Sequence, residues 1–175
     1  VCAGEVAKSD VAEVSIVGHG TNEDDYCLIL RGNKARKMHS SRRDAFRPIN
    51  IRAIGKVSED GIEKMDKYNP RSKGKVNLLN NFSDKVALVK LYPGQDPKII
   101  DWHVESGYKG LVIEASGLGH VLTSESKNNW LPSIKKALKK GIVICMVAQT
   151  VYGRLDPLVY SVGRDLEKTG VIFLR

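Results

Sequence analysis

Between Arg31 and Phe46 the sequence RGNKARKMHSSRRDAF gathers six basic side chains, one histidine, two serines and one aspartate. A charge run of this kind is in most proteins a solvated loop. A lysine within it can do more if burial depresses its pKa, because the neutral amine then serves as a general base that activates a hydroxyl. Lys34 and Lys37 are both candidates, and the residues by themselves do not choose between them. A triad built from His39, Ser40 and Asp44 would rest on adjacency, whereas such triads are defined by geometry.

A second group of candidates follows the apolar runs of the C-terminal half: Tyr92-Pro93-Gly94, Ser116-Gly117-Leu118-Gly119-His120, and Gln149 to Arg154. If those runs are parallel strands, these segments stand at their carboxyl ends, where open α/β sheets bind ligands. The Gly-Leu-Gly turn resembles the start of a dinucleotide fingerprint. It lacks the third glycine and no helix opens at once, so a tight strand-to-helix turn is the better reading. His19, His39, His103 and His120 show no HxxxH or HExxH spacing, so no metal is expected.

The elements that must position these residues follow from patterning. Residues 14–19 and 26–31 read as strands, and Arg31-Gly32-Asn33 as a tight turn with positive φ at Gly32, returning 34–39 alongside. A short strand is expected near 51–57. Residues 58–84 are polar and without period, so they read as a connection between two lobes, with one short strand at 75–79. From 86 the order is regular: strand 86–92, a helix over 96–106 capped by Asp96 and Pro97, strand 111–115, a helix over 132–140, strand 142–148, a helix over 158–169, and a last strand in GVIFLR. Alternation of this kind predicts a parallel sheet with right-handed crossovers, and the near-continuous apolar strands predict cover on both faces.

Composition bounds the rest. The chain has 175 residues, 42% hydrophobic and 27% charged, which suits one domain or two small lobes. No apolar run is long enough to span a bilayer and no signal-peptide pattern opens the chain, so a non-membrane, cytoplasmic protein is expected. Cys2, Cys27 and Cys145 are an odd, dispersed set without a CxxC pair and read as small hydrophobes. Basic residues exceed acidic ones to give a net charge of +8, compatible with a nucleic-acid partner but spread along the chain. Both ends, an initial Val1 and a terminal strand pattern, read as cut.

Taken together, RGNKARKMHSSRRDAFRPIN (31–50), VALVKLYPG, GYKGLVIEASGLGHV and VAQTVYGRLDPLVYSVGRDLEKTGVI resemble, in order and spacing, the asparaginase/glutaminase-type amidohydrolases. The branch most similar is the D-type subunit of archaeal glutamyl-tRNA(Gln) amidotransferases. The resemblance covers nearly the whole chain apart from 58–74. It implies an α/β, two-lobe asparaginase-like fold. Residues 1–80 would be the C-terminal part of the N-terminal catalytic lobe with a linker, and 81–175 a Rossmann-like, parallel-sheet C-terminal lobe. It implies a threonine nucleophile that attacks a side-chain amide and releases ammonia, helped by a second threonine, an aspartate and a lysine.

Of these only the lysine carries over, onto Lys37 ahead of Ser40, with its amine expected to be buried. The family's TGGT-type nucleophile motif is absent from these residues, so the chain alone is expected to be inactive. His19-Gly20-Thr21 continues as Asn22-Glu23 and is read as structural. Ser116, His120 and Tyr152 become candidate substrate-binding residues. In the family, the second lobe of a neighbouring protomer completes each site, which implies a homodimer through the C-terminal lobe. The branch implies as partner the E-type subunit of the amidotransferase, tRNA at the periphery, and no cofactor. A free-standing L-asparaginase is the alternative, and a non-catalytic assembly module a third.

Overall fold

A computed structural model describes residues 1–75, 77–123 and 127–174. The chain divides into two compact units, Val1–Leu78 and Leu79–Arg175.

The first unit opens with a helix, α1 (Cys2–Lys8), and continues through strands β1 (Ser15–His19), β2 (Cys27–Arg31), β3 (Ala35–Lys37), β4 (Phe46–Pro48), β5 (Gly55–Ser58) and β6 (Gly61–Lys64). An antiparallel sheet of order β1-β2-β5-β6 carries the small core of Val6, Val11, Ile29, Ile54 and Val57. Ile29 and Leu30 point to opposite faces of β2, yet are 0% and 1% exposed. The strand is thus covered on both sides, as its apolar sequence requires.

Two expectations for this unit change. The segment after β2 does not return alongside it, because β1 and β5 already occupy both edges of β2. Instead β3 pairs with β4 in a separate antiparallel ribbon, with Lys37 opposite Phe46. Gly32 lies in a 3-10 turn without positive φ. Its small size matters for another reason, since a Cβ there would stand 3.0 Å from the Val14 carbonyl oxygen.

The polar stretch from 58 is not all linker. The Asp60-Gly61 pair turns the chain into β6, which pairs with β5 from Ser58↔Gly61 to Gly55↔Lys64. Beyond it, Ala12 N–H donates to Asn69 O at 2.8 Å, and Arg71 N–H donates to Asp10 O at 2.9 Å. Tyr68 Oη donates to Asp10 Oδ2 at 2.7 Å. Residues 68–71 are thus stitched to 10–12. Residues 75 and 77–79 form no strand, and residue 76 lies outside the described set.

In the second unit β7 (Val86–Lys90), β8 (Gly110–Ala115), β9 (Val143–Ala148) and β10 (Ile172–Phe173) form a parallel sheet of order β10-β9-β8-β7. The crossovers contain α2 (Lys98–Glu105), α3 (Leu131–Lys139) and α4 (Ser161–Glu167). Asp96 Oδ1 accepts the Lys98 N–H at 2.9 Å, so the expected cap is in place one residue before the Pro97 N-cap.

Consecutive strands are neighbours throughout, and crossovers of one hand that always step in one direction deliver their helices to one face. The core follows from this: Leu111, Ile113, Ile144 and Met146 on the sheet meet Ile100, Trp130, Ile134 and Leu166 from the helices. Cover on both faces, expected from the apolar strands, is not found. Leu88 is 65% exposed, and Val86, Val143 and Ile172 are each about half exposed on the opposite face.

Candidate functional site

Lys37 closes β3, and the chain then loops through residues 38–45 before β4 brings Phe46 back opposite it. The loop is organised by Asp44, a buried carboxylate. Arg42 grips it with Nε at 2.8 Å from Oδ1 and Nη2 at 3.0 Å from Oδ2, and Arg47 adds a contact to Oδ2. His39 Nδ1 accepts the backbone N–H groups of Ser41 at 3.1 Å and Arg42 at 3.2 Å, which assigns the ring proton to Nε2. The backbone closes where Met38 N–H donates to Ala45 O at 2.7 Å. His39, Ser40 and Asp44 therefore form no triad: the histidine caps a turn and the aspartate holds arginines.

The Lys37 side chain is exposed, which corrects the expectation of a buried amine. It belongs to a two-stranded antiparallel ribbon and has no ion-pair partner among the described residues. Beside it is an open depression of about 370 Å³ lined by Lys37, Met38, His39 and Ser40.

The Arg42 guanidinium, with Arg47 behind it, holds the Asp44 carboxyl below the usual carboxylate range. A carboxyl with a lowered folded-state pKa binds fewer protons folded than unfolded. Its stabilising effect is complete above the ordinary value of about 3.9 and is lost as pH falls through the folded value. The loop is therefore expected to stay closed at neutral pH and to open only in strong acid, whereas Asp44→Asn opens it at neutral pH. Hydrogen exchange at the Met38 amide reads this directly. Unchanged protection of that amide in the Asn variant would contradict the anchoring role.

His19-Gly20-Thr21 lies in a loop held by its own members. Thr21 Oγ1 donates to Asp25 Oδ1 at 2.7 Å and accepts the Glu23 N–H at 3.2 Å. His19 Nε2 is 3.0 Å from Asp24 Oδ1, and Arg43 joins the same carboxylate. The Asp24 carboxyl is lowered by His19 first and Arg43 second. With its hydroxyl engaged on both sides, Thr21 is a loop residue in this arrangement.

The cysteines hold one relation that the spacing does not reveal: Cys2 on α1 and Cys27 on β2 pack against the same core. Burial, then Cys2, pushes the Cys27 thiol up to about 11. That shift runs away from the thiolate form that a reactive cysteine needs.

In the second unit the Ser116–His120 segment folds into a turn that closes on itself. Ser116 N–H donates to His120 O at 3.0 Å, His120 N–H returns to Ser116 O at 2.8 Å, and Ser116 Oγ donates to His120 O at 3.0 Å. Gly119 has φ +105°, and a Cβ on it would meet the Phe173 ring at 3.0 Å. The amides of Gly119 and His120 are engaged inside the turn, and α3 begins only at Leu131, so no helix N-terminus meets a phosphate here. Gln149 ties neighbouring strand ends together: its Nε2 donates to Leu91 O at 2.5 Å and Glu114 O at 2.8 Å.

His120 has the most telling environment. Its Nε2 is buried and has no hydrogen-bond partner among the described residues. The ring meets Tyr160 edge-on, with centroids 5.2 Å apart at 79°. Ser116, His120 and Tyr160, with Leu91, Val121 and Ser161, line a cavity of about 420 Å³. A buried, unsatisfied imidazole nitrogen beside a cavity is what a polar ligand would complete, since such a group otherwise carries an uncompensated desolvation cost.

Of the four sequence candidates, Ser116 and His120 share this cavity, Tyr152 is 57% exposed and outside its lining, and Lys37 belongs to the first unit. Tyr160 was not singled out by sequence. Its only signal is its place directly before α4, on the connection that leaves β9. Among the described residues no cluster of three His, Cys, Asp or Glu side chains suits a metal, and no helix is long and apolar enough to cross a membrane.

Comparison with known proteins agrees with this architecture. The family model for the glutaminase/asparaginase C-terminal domain matches residues 85–175, and that for asparaginase, N-terminal, matches residues 1–69. Over 174 residues the chain is 50% identical to the D-type subunit of the glutamyl-tRNA(Gln) amidotransferase of Pyrococcus furiosus. It is 48% identical to that of Thermococcus kodakarensis and 44% identical to that of Methanosarcina mazei. Each match covers 98% of this chain and 38–40% of the relative, so the chain spans about two fifths of their length.

Among solved structures, the thermostable L-asparaginase from Thermococcus kodakarensis superposes with a TM-score of 0.74 at 27% identity, covering 83% of this chain and 43% of that one. L-asparaginase I from Vibrio cholerae superposes with a TM-score of 0.70 at 21% identity, over the same shares, which speaks for the fold alone. The chain belongs to the glutaminase/asparaginase family, and its fold is the mixed α/β fold of that family.

Proposed function

We propose that this chain is part of the ammonia-producing component of a tRNA-dependent amidotransferase, a glutaminase whose ammonia serves conversion of Glu-tRNA(Gln) to Gln-tRNA(Gln). The observation that carries the reading is its 50% identity, along 98% of its length, to a protein named as the D-type subunit of that amidotransferase. The chemistry would be amide hydrolysis. A threonine hydroxyl attacks the side-chain amide carbon, the C–N bond breaks, ammonia leaves with a proton, and water resolves the acyl ester.

In this reading the nucleophile comes from sequence outside these 175 residues. Lys37 moves the proton off a hydroxyl, and residues outside the present set would have to cover its exposed amine to make it a base. Ser116 and His120 bind substrate, with the open His120 Nε2 hydrogen-bonding a polar group of it. Tyr152, exposed as it is, would contact substrate only in the assembled protein. The assembly would be a homodimer through the C-terminal lobe together with the amidotransferase's E-type subunit, working on tRNA in the cytoplasm. No cofactor enters the reaction.

A free-standing L-asparaginase is the second reading, favoured by the likeness to the Thermococcus kodakarensis enzyme, though at 27% identity. One experiment separates the readings. A full-length protein carrying this sequence should co-purify with a homologue of the E-type subunit and release ammonia from glutamine faster when tRNA is added. Robust asparagine hydrolysis by a lone homo-oligomer, unaffected by tRNA, would overturn the proposal. The 175-residue chain alone should release no ammonia above background from either amide.

A further inference from the structure

Cys2 and Cys27 come from different elements, and two periodicities bring them together. On α1, Cys2 and Val6 are one turn apart and share a helix face; on β2, Cys27 and Ile29 alternate with Leu28 and share a strand face. Val6 and Ile29 are both buried in the small core of the first unit. The helix face that carries Cys2 therefore meets the strand face that carries Cys27. The offsets agree as well. Cys2 lies about 6 Å along the helix from Val6, and Cys27 about 7 Å along the strand from Ile29.

Other observations fix the end of the helix at which the two meet. Helix α1 packs on β1 and β5, the strands that flank β2, and so crosses over β2. Val1, Cys2 and Ala3 line one depression of about 340 Å³ together with Cys27 and its register partner His19. The Cys2 thiol also adds to the upward push on the Cys27 thiol, after burial. Both thiols are free and half-buried, neither sealed in the core nor left on the open surface. Among the described residues no third ligating side chain joins them to suit a metal, so the chemistry left to the pair is that of two thiols.

We propose that Cys2 and Cys27 are an oxidation site, closed by hydrogen peroxide into a disulfide that clamps α1 onto the sheet. The Cys2 thiolate attacks one peroxide oxygen, the O–O bond breaks, and the departing hydroxide takes up the Cys2 proton as water. The Cys27 sulfur then attacks the sulfenic acid on Cys2. The S–O bond breaks, the S–S bond forms, and the second hydroxide leaves with the Cys27 proton as water. The two thiols lose two electrons in all, which the peroxide takes. A thiol shifted away from the thiolate form is a slow first attacker, so Cys27 takes the second step, which its place beside Cys2 makes intramolecular.

In a reducing compartment such a bridge is transient and is reversed by thiol exchange. While it lasts it restricts the unfolded chain between α1 and β2, which favours the folded unit. The site lies apart from the amidohydrolase residues and does not depend on their roles.

The test treats the whole reduced chain with hydrogen peroxide, blocks the remaining thiols with N-ethylmaleimide, and reads tryptic peptides by mass spectrometry without reductant. Residues 1–8 and 9–31 are separate tryptic peptides, one carrying Cys2 and the other Cys27. The expected product joins them within one chain, two hydrogens lighter than their sum, while Cys145 in the second unit keeps its maleimide. Hydrogen exchange at the β2 amides of the oxidised chain should slow by roughly 10²-fold, the effect of closing such a loop, and recover with dithiothreitol. Cys2→Ser should keep the parent's circular dichroism and lose both the linked peptide and the slowing. Recovery of Cys2 and Cys27 as blocked thiols or as sulfinic acids, links only between chains, links to Cys145, or the same slowing in Cys2→Ser would overturn the proposal.

Discussion

Lys37→Met in a full-length protein carrying this sequence is expected to lower kcat for amide hydrolysis by about 10²- to 10⁴-fold, the range for loss of a positioned proton-transfer group, with little change in KM. The lysine stands at the end of β3, in register with Phe46, and the Asp44 anchor fixes the loop that connects the two. Its exposed amine has no competing ion pair among the described residues, so removing it should leave the unit folded. His120→Ala should behave differently: a group that binds substrate alike in ground and transition states shifts KM and leaves kcat nearly intact. Steady-state kinetics on both variants distinguish the roles. Wild-type turnover by Lys37→Met would remove the lysine from the mechanism.

Ile113→Ala should be strongly damaging to the second unit. Ile113 is 0% exposed at the centre of β8, between β7 and β9, and sits in the core beneath the turn that carries Ser116 and His120. Truncating a fully buried isoleucine costs about 2–5 kcal/mol, from lost transfer energy and the cavity left behind. Leu88→Ala, on the uncovered face of the same sheet at 65% exposure, should change stability by about 0.5 kcal/mol or less. Urea unfolding should show a lowered midpoint for Ile113→Ala at an unchanged slope and almost no shift for Leu88→Ala. Equal shifts would mean that the two faces are covered alike.

The parts of this architecture legible in sequence are those whose causes are local. VALVKLY, LVIEA and IVICMVA are continuous apolar runs bounded by glycine or proline, and all three are strands. What escaped has non-local causes. Strand β6 is a solvent-facing edge strand with Ile62 as its lone aliphatic residue, so it carries no alternation, and only Asp60-Gly61 announces it. The partner of β3 depends on which edges of β2 are already taken. Cover on one face of the parallel sheet depends on strand order, which apolar runs do not encode.

The candidate site shows the same division. That Ser116 and His120 stand together was readable because they share one turn. Tyr160 joins them across a long separation with no local pattern, as Cys27 joins Cys2. The exposure of Lys37 was not readable at all, since the ribbon that carries it is set by pairing with Phe46 rather than by its own neighbours.

The most direct test is intact-mass spectrometry of the full-length protein quenched during turnover with glutamine. The proposed chemistry predicts a covalent species heavier than the free protein by glutamine less ammonia, located on a threonine, and strongly diminished in Lys37→Met. Ammonia release at full rate with no such species at any quench time would show that hydrolysis proceeds without an acyl-enzyme.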